Sequence, residues 1–139
     1  MRCALWNVRS LSTDMPAAIC DSIVTTSRDV FVAVETWHDD ALTPALALAC
    51  PPGCCVVERA RPRSTQLNDT TATNHGGIAV FYRSTVTVSH VALYLRCPRL
   101  NALLCVTSAS HKVILVAVYR PGSATITSCF SDDPVLLCQ

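Results

Sequence analysis

The sequence predicts an α/β domain, and two observations favour this fold class. Residues 3–37 contain two strand-like apolar runs with a segment of helical spacing between them. Residues 76–122 then contain a series of short β patterns separated by turn residues. A chain of 139 residues is long enough to bury a core and short enough for one domain, so we expect residues 1–139 to form a single domain.

The beginning of the chain predicts a strand–helix–strand unit. Residues 3–8, CALWNV, have the composition of a short strand, and a helix is predicted from Met15 to about residue 27, with Thr13 or Asp14 as its N-cap. The apolar residues at helical spacing are Ala18, Ile19, Ile23 and Val24. The second strand, DVFVAVETW at 29–37, is apolar without alternation, which indicates burial on both faces. A unit of this order places its two strands parallel.

Shorter elements follow this unit. A short helix is predicted within residues 39–52, either beginning at Pro44 or broken by it. Residues 62–75 form a polar loop without periodicity, and residues 126–139 begin a candidate amphipathic helix. The remaining predicted strands are at 54–60, 76–84, 86–95, 102–110 and 112–122.

Composition limits the classes of function. Half of the residues are hydrophobic and only 15% are charged, against roughly 25% charged in an average soluble domain. The net charge of +1 gives no overall preference for nucleic acid or membrane. The local run ERARPR at 58–63 is either a contact for a DNA backbone or, more plainly, a solvated surface. No apolar run approaches the roughly 18 residues that span a bilayer, so no membrane partner is expected.

The nine cysteines indicate neither a disulfide scaffold nor a zinc site. Their number is odd, several lie in apolar strand-like runs, and no C-x-x-C pair occurs. The N-terminus has no apolar segment of the kind that a secretory signal requires. We therefore expect reduced thiols and an intracellular location, in the cytoplasm or the nucleus.

Three polar residues stand at the ends of apolar strands: Asn7, Glu35 and Tyr119. In a sheet covered on both faces, ligands bind beyond the strand ends, where such side chains converge. A carboxylate there suits Mg²⁺, which keeps most of its waters and takes one or two carboxylates together with phosphate oxygens. An asparagine can orient that carboxylate, and Tyr119, followed by Arg120, can donate to a phosphate. Each residue alone also fits a plainer role: Asn7 as a turn former, Glu35 as a solvated boundary residue and Tyr119 as a core tyrosine.

Five segments together resemble a known family, and they are LWNVRSL, DVFVAVETW, PPGCCVVERARP, NHGGIAVFYRS and VILVAVYRPG. They recur in this order, at about these intervals, in the endonuclease domain of LINE-type non-LTR retrotransposons. That domain belongs to the endonuclease/exonuclease/phosphatase superfamily, together with DNase I and the apurinic/apyrimidinic endonucleases. The resemblance runs from Leu5 to the end of the chain.

The resemblance implies a partial DNase I-like four-layer sandwich, in which β-sheets are flanked by helices, and Mg²⁺-dependent cleavage of DNA. It implies Glu35 as the metal ligand, Asn7 as a second member of the metal network and Tyr119 as the residue that contacts phosphate. These three are the candidate catalytic residues. His38 stands where the family often has leucine, and Gly122 where a second proline is usual; we expect neither to touch the chemistry.

The sequence departs from the family in a larger way. The family's G-D-F-N and S-D-H segments, which orient the attacking water and complete the base, do not occur in it. We therefore expect a C-terminally truncated endonuclease domain of impaired activity, with an exposed sheet edge that promotes self-association. The alternative is a non-catalytic remnant or interaction protein that keeps half of the fold. A third interpretation, a cysteine-nucleophile hydrolase, finds no recognisable placement of thiol and imidazole.

Overall fold

The computed structural model describes residues 1–12, 14–38, 42–60, 76–91, 101–108 and 112–119. These ranges contain two helices and seven strands. In chain order they are β1 (Cys3–Asn7), α1 (Met15–Thr25), β2 (Val30–Val34), α2 (Pro44–Ala49), β3 (Cys54–Arg59), β4 (Ile78–Arg83), β5 (Thr87–Val91), β6 (Asn101–Ser108) and β7 (Lys112–Tyr119). The predicted loop at 62–75 and the candidate helix at 126–139 lie outside the described residues, as does Arg120.

The predicted strand–helix–strand unit is present. Strands β1 and β2 pair in parallel, with Asn7 opposite Val34. The predicted short helix is also present, and it begins at Pro44 rather than being broken by it. Proline suits that position because the first N–H groups of a helix have no partner within the helix.

Helix α1 packs one face onto the sheet. Asp14 occupies its N-cap position, and Ile19 and Ile23 are buried on the inward face. Ala18 is also exposed and Val24 is 57% exposed, so the assignment of these two residues to the apolar face was wrong. The inward stripe follows the four-residue spacing of the two isoleucines and leaves the neighbouring position in solvent.

The first sheet has the strand order β1-β2-β4-β3. Strand β4 lies between β2 and β3 and is antiparallel to both. Every residue of β2 is buried, which confirms the prediction that this strand is covered on both faces. Among the described strands, β1 forms one edge of this sheet, and there Leu5 is 67% exposed and Trp6 is 42% exposed.

Buried apolar residues form one cluster on each face of the first sheet. The cluster on the helical face is Val8, Leu11, Ile19, Ile23, Phe31, Ala33, Leu46, Ala49, Ala79 and Phe81. The cluster on the opposite face is Val30, Val32, Val34, Ile78, Val80 and Ala117. Ala117 belongs to the second sheet, whose order is β5-β6-β7, so the two sheets share this second cluster. The described residues therefore form three layers, one of helices and two of sheet.

Neither described helix is long and apolar enough to cross a bilayer.

Candidate functional site

Asn7 and Glu35 lie side by side at the carboxyl ends of two parallel strands. Asn7 is the last residue of β1, and Glu35 follows the last residue of β2 directly. The Asn7 Nδ2 group donates a hydrogen bond of 2.9 Å to Oε1 of Glu35. The Asn7 side-chain oxygen accepts a hydrogen bond of 3.2 Å from the backbone N–H of Arg9. Asn7 is thus held by its own turn, and it orients the Glu35 carboxylate.

Backbone hydrogen bonds tie the segment after β2 to two other parts of the chain. The Thr36 carbonyl accepts a bond of 3.0 Å from the Leu11 N–H. On the other side, the N–H groups of Thr36 and Trp37 donate to the carbonyls of Gly77 and Gly76, at 3.4 and 2.8 Å. The segment that carries Glu35 is therefore fixed between the β1–α1 connection and the beginning of β4.

A buried polar network begins at the residue that follows Glu35. The Thr36 Oγ1 atom is 2.6 Å from Nδ1 of His38, and Nε2 of His38 donates to Oε2 of Glu58 at 2.6 Å. Thr36 is 1% exposed and His38 is 2% exposed, whereas the Glu58 side chain retains 20% of its exposure. Polar groups buried to this extent are stable only when they are hydrogen-bonded, and both ring nitrogens of His38 have oxygen partners here.

Gly77 makes room for this network. Its φ angle of +84° lies in the left-handed region, and a Cβ atom at this position would lie 2.5 Å from Oγ1 of Thr36. The same Cβ would lie 3.1 Å from Nδ1 of His38. Glycine is required at this position both for the backbone conformation and for the close approach of the network.

Tyr119, the third predicted site residue, is the last residue of β7. It is partly buried and packs against the cluster between the two sheets, which also contains Val34. The structure therefore brings Asn7 and Glu35 into direct contact and places Tyr119 in the second sheet, against the cluster that includes the residue preceding Glu35. The contact of Tyr119 with phosphate stays a prediction.

An open cleft of about 350 Å³ begins at the residue that follows Asn7. Its lining residues are Val8, Arg9, Ser10, Ser12, Asp14, Met15 and Ala18. Arg9, Ser10 and Ser12 can donate hydrogen bonds to anionic oxygens, and the same lining includes the Asp14 carboxylate and three apolar side chains.

The Glu35 carboxylate has the chemistry of a magnesium ligand. It is half-buried, and one of its oxygens is held by the Asn7 amide. Among the described residues no group of three or more His, Cys, Asp or Glu side chains could hold a metal ion. A single carboxylate still fits Mg²⁺, which completes its coordination with water and substrate phosphate rather than with a cage of side chains.

Cys50 and Cys54 are poor candidates for a nucleophile. Cys3, Cys20, Cys50, Cys54 and Cys55 are free thiols. Burial raises the pKa of Cys50, and the negative charge that Cys54 and then Cys55 would carry raises it further. Burial also raises the pKa of Cys54 against the opposing effect of Arg83. Because the thiolate is the reactive form, raised pKa values argue against nucleophilic catalysis by these two residues.

The chain is similar to the catalytic domain of human Nocturnin, which was solved with a bound sulfate anion, at a TM-score of 0.58 and 16% identity. The match covers 96% of this chain and 55% of that chain. The fold is DNase I-like.

The predicted α/β fold class is thereby confirmed. The chain spans just over half the length of the Nocturnin domain. No protein-family profile and no curated protein matches the sequence. The more specific resemblance to LINE-type endonucleases stays a prediction.

Sequence reasoning missed the network of Thr36, His38 and Glu58. In the sequence, His38 is only a departure from the family pattern with no expected role, yet it is buried and hydrogen-bonded to Thr36 and Glu58. The sequence places Glu58 in the solvated or DNA-contacting run at 58–63, whereas its carboxylate faces the His38 imidazole. One signal was available, since a histidine in a position where leucine is usual needs polar partners if it remains buried.

Proposed function

We propose that this chain carries part of the active site of a Mg²⁺-dependent DNA endonuclease, of the kind found in LINE-type non-LTR retrotransposons. The observation that carries the proposal is the 2.9 Å hydrogen bond between Asn7 and Glu35 at the adjoining ends of parallel strands. In a DNase I-like fold, this pair presents an oriented carboxylate, and an open cleft begins at the residue that follows Asn7.

Each residue has a defined role in the proposed site. Glu35 binds the cation and Asn7 fixes the rotamer of the Glu35 carboxylate, with its own carbonyl oxygen as a further ligand atom. Magnesium bound there supplies Lewis-acid polarisation of the scissile phosphate. Arg9 in the cleft and Tyr119 at the end of β7 donate to phosphate oxygens of the DNA backbone.

We further propose that residues 1–139 by themselves bind the cation but hydrolyse DNA slowly or not at all. Hydrolysis needs a group that orients and deprotonates the attacking water. The G-D-F-N and S-D-H segments that supply this function in the resembling family have no counterpart in the 139 residues.

A second candidate function is a non-catalytic interaction protein. The observation that favours it is the exposed edge strand β1, on which Leu5 and Trp6 present apolar surface. Unpaired strand edges with apolar side chains are surfaces on which other chains pair.

Cation binding and DNA nicking separate these candidates. Mn²⁺, a spectroscopic substitute for Mg²⁺, is titrated into the purified chain and followed by electron paramagnetic resonance, with plasmid nicking measured in Mg²⁺ and in EDTA. Glu35→Gln removes the ligand charge, and Asp21→Asn, on an exposed residue of α1, removes the same charge outside the site. We expect one bound Mn²⁺ in the wild type and in Asp21→Asn, and none in Glu35→Gln.

The outcomes have distinct meanings. Equal Mn²⁺ binding by all three proteins would refute the assignment of Glu35 as the ligand. Absence of both binding and nicking in the folded wild type would favour the interaction protein. Nicking that disappears in EDTA and in Glu35→Gln would show that the chain hydrolyses DNA with the residues it has, against the proposed impairment.

A further inference from the structure

The turn that carries Glu35 has an uncommon backbone conformation. Glu35 has a φ angle of 58° and Trp37 has a φ angle of 52°. Both lie in the left-handed region, which residues with a Cβ atom adopt rarely. Two such residues within three positions persist only where the surrounding contacts determine the backbone more strongly than its own preference does.

The hydrogen bond between Thr36 and His38 spans Trp37, one of these two left-handed residues. It joins the side chains on either side of Trp37 at a separation of 2.6 Å. Nε2 of His38 then donates to Glu58 in β3, and this bond connects the Thr36–His38 pair to the sheet. A relaxed, extended backbone at Trp37 would separate the two side chains, so the network and the left-handed conformation require each other.

The protonation state of His38 does not change this connection. A neutral imidazole accepts from the Thr36 hydroxyl at Nδ1 and donates to the Glu58 carboxylate from Nε2. An imidazolium donates from both nitrogens, with the Thr36 hydroxyl as an acceptor. In both forms the ring links Thr36 to Glu58.

A hydroxyl, an imidazole and a carboxylate in series also occur in hydrolytic triads, but this series cannot act as one. Thr36 is 1% exposed and His38 is 2% exposed, so a substrate has no access to the hydroxyl. The N–H and the carbonyl of Thr36 are both used in backbone hydrogen bonds. What the network can do is fix the conformation of the residue that precedes it, Glu35.

We infer that Thr36, His38 and Glu58 are positioning residues that hold the turn after β2 in its left-handed conformation and thereby hold the Glu35 carboxylate beside Asn7. The effect on the backbone and on the Asn7–Glu35 hydrogen bond is independent of any cation. The effect on cation affinity rests on the proposed function.

The test uses three variants of the full chain and nuclear magnetic resonance. Thr36→Val removes the hydroxyl at nearly constant volume, His38→Leu fills the ring's space without hydrogen bonds, and Glu58→Gln retains an oxygen that accepts from Nε2. In Thr36→Val and His38→Leu we expect the ¹³Cα and ¹³Cβ shifts of Glu35 and Trp37 to lose their left-handed values. Exchange of the Trp37 amide should accelerate about 10-fold, as the loss of one buried hydrogen bond predicts. Glu58→Gln should retain both signals.

A control variant for a general loss of stability lies at the other end of the β1–β2 pair, away from Glu35. Asp29 accepts a hydrogen bond of 2.6 Å from the Arg2 N–H and forms an ion pair with the N-terminus. Asp29→Ala therefore weakens the pairing of β1 and β2 without touching the network. We expect Asp29→Ala to leave the shifts of Glu35 and Trp37, and the side-chain amide signals of Asn7, unchanged.

Unchanged left-handed shifts in folded Thr36→Val and His38→Leu would overturn the inference. So would the same change in Asp29→Ala. Mn²⁺ titration of the same proteins measures the consequence for the cation, whose affinity we expect to fall in Thr36→Val and His38→Leu and to be retained in Asp29→Ala. If the wild type binds no Mn²⁺, the proposed function fails, and the positioning role is decided by the backbone signals alone.

Discussion

Replacing Gly77 with alanine tests how tightly the network of Thr36, His38 and Glu58 is packed. The new Cβ atom would lie 2.5 Å from Oγ1 of Thr36, and 3.1 and 3.2 Å from Nδ1 and Cε1 of His38. The first distance is well inside van der Waals contact, and Thr36 cannot retreat easily because its backbone is hydrogen-bonded on both sides.

The cost has two parts. A Cβ atom on a left-handed backbone costs roughly 1–2 kcal/mol, and Gly77 has a φ angle of +84°. Forcing an extra carbon into a packed interior typically costs a further ~1–3 kcal/mol. We therefore expect Gly77→Ala to lower the free energy of unfolding by about 2–5 kcal/mol in total.

Gly53 provides a matched control. Its φ angle is +78°, and a Cβ atom there would meet nothing within 4 Å. Gly53→Ala therefore carries the backbone cost of roughly 1–2 kcal/mol without the clash. The difference between the two variants isolates the packing of the network.

Urea unfolding, followed by circular dichroism, measures both variants against the wild type. A double variant with Thr36→Ala removes the atom that the new Cβ meets, so part of the cost of Gly77→Ala should be recovered as a coupling energy. Equal destabilisation by Gly53→Ala and Gly77→Ala, with no coupling to Thr36, would refute the close packing on which this reasoning depends.

Two further predictions concern the thiols and the edge strand. Because burial raises the pKa of Cys50 and Cys54 in the folded chain, the unfolded chain releases these protons first as the pH rises. The contribution of these two thiols to the free energy of unfolding should therefore decline above about pH 8.5 and be constant below it. Urea midpoints at pH 7, 8 and 10 under reducing conditions test this, and Cys50→Ala should flatten the decline. On strand β1, Leu5→Lys should lower the average mass at high concentration in sedimentation equilibrium, whereas Leu48→Lys, on an exposed face of α2, should not. Identical masses for all three proteins would contradict self-association through β1.

The sequence predicted the fold because its main signals are local. The unbroken apolar run of β2 indicated a strand with two covered faces, and both clusters do pack against it. The helical spacing between β1 and β2 predicted their parallel pairing, which places Asn7 beside Glu35. The contact between these two side chains therefore follows from strand order and from the ends of the strands.

The network could not be predicted in the same way because its members meet through tertiary structure. His38 and Glu58 are 20 residues apart, and they meet because β3 joins the sheet through β4 and because the chain turns left-handed after β2. Positive φ angles at Glu35 and Trp37 have no signal in the residue types themselves. The same limit applies to Val24, whose side of the helix depends on the direction in which α1 packs.

The central position of β4 has a consequence for synthesis of the chain. Strand β2 ends at Val34, but its second partner in the sheet, β4, begins only at Ile78. At a translation rate of about 5–20 residues per second, the run VFVAV emerges several seconds before the strand that covers its free edge. A short uncharged run of β-branched and aromatic residues is prone to intermolecular pairing during such an interval. Slower translation lengthens this exposure and chaperones that bind apolar segments shield it, so the yield of soluble chain should depend on both.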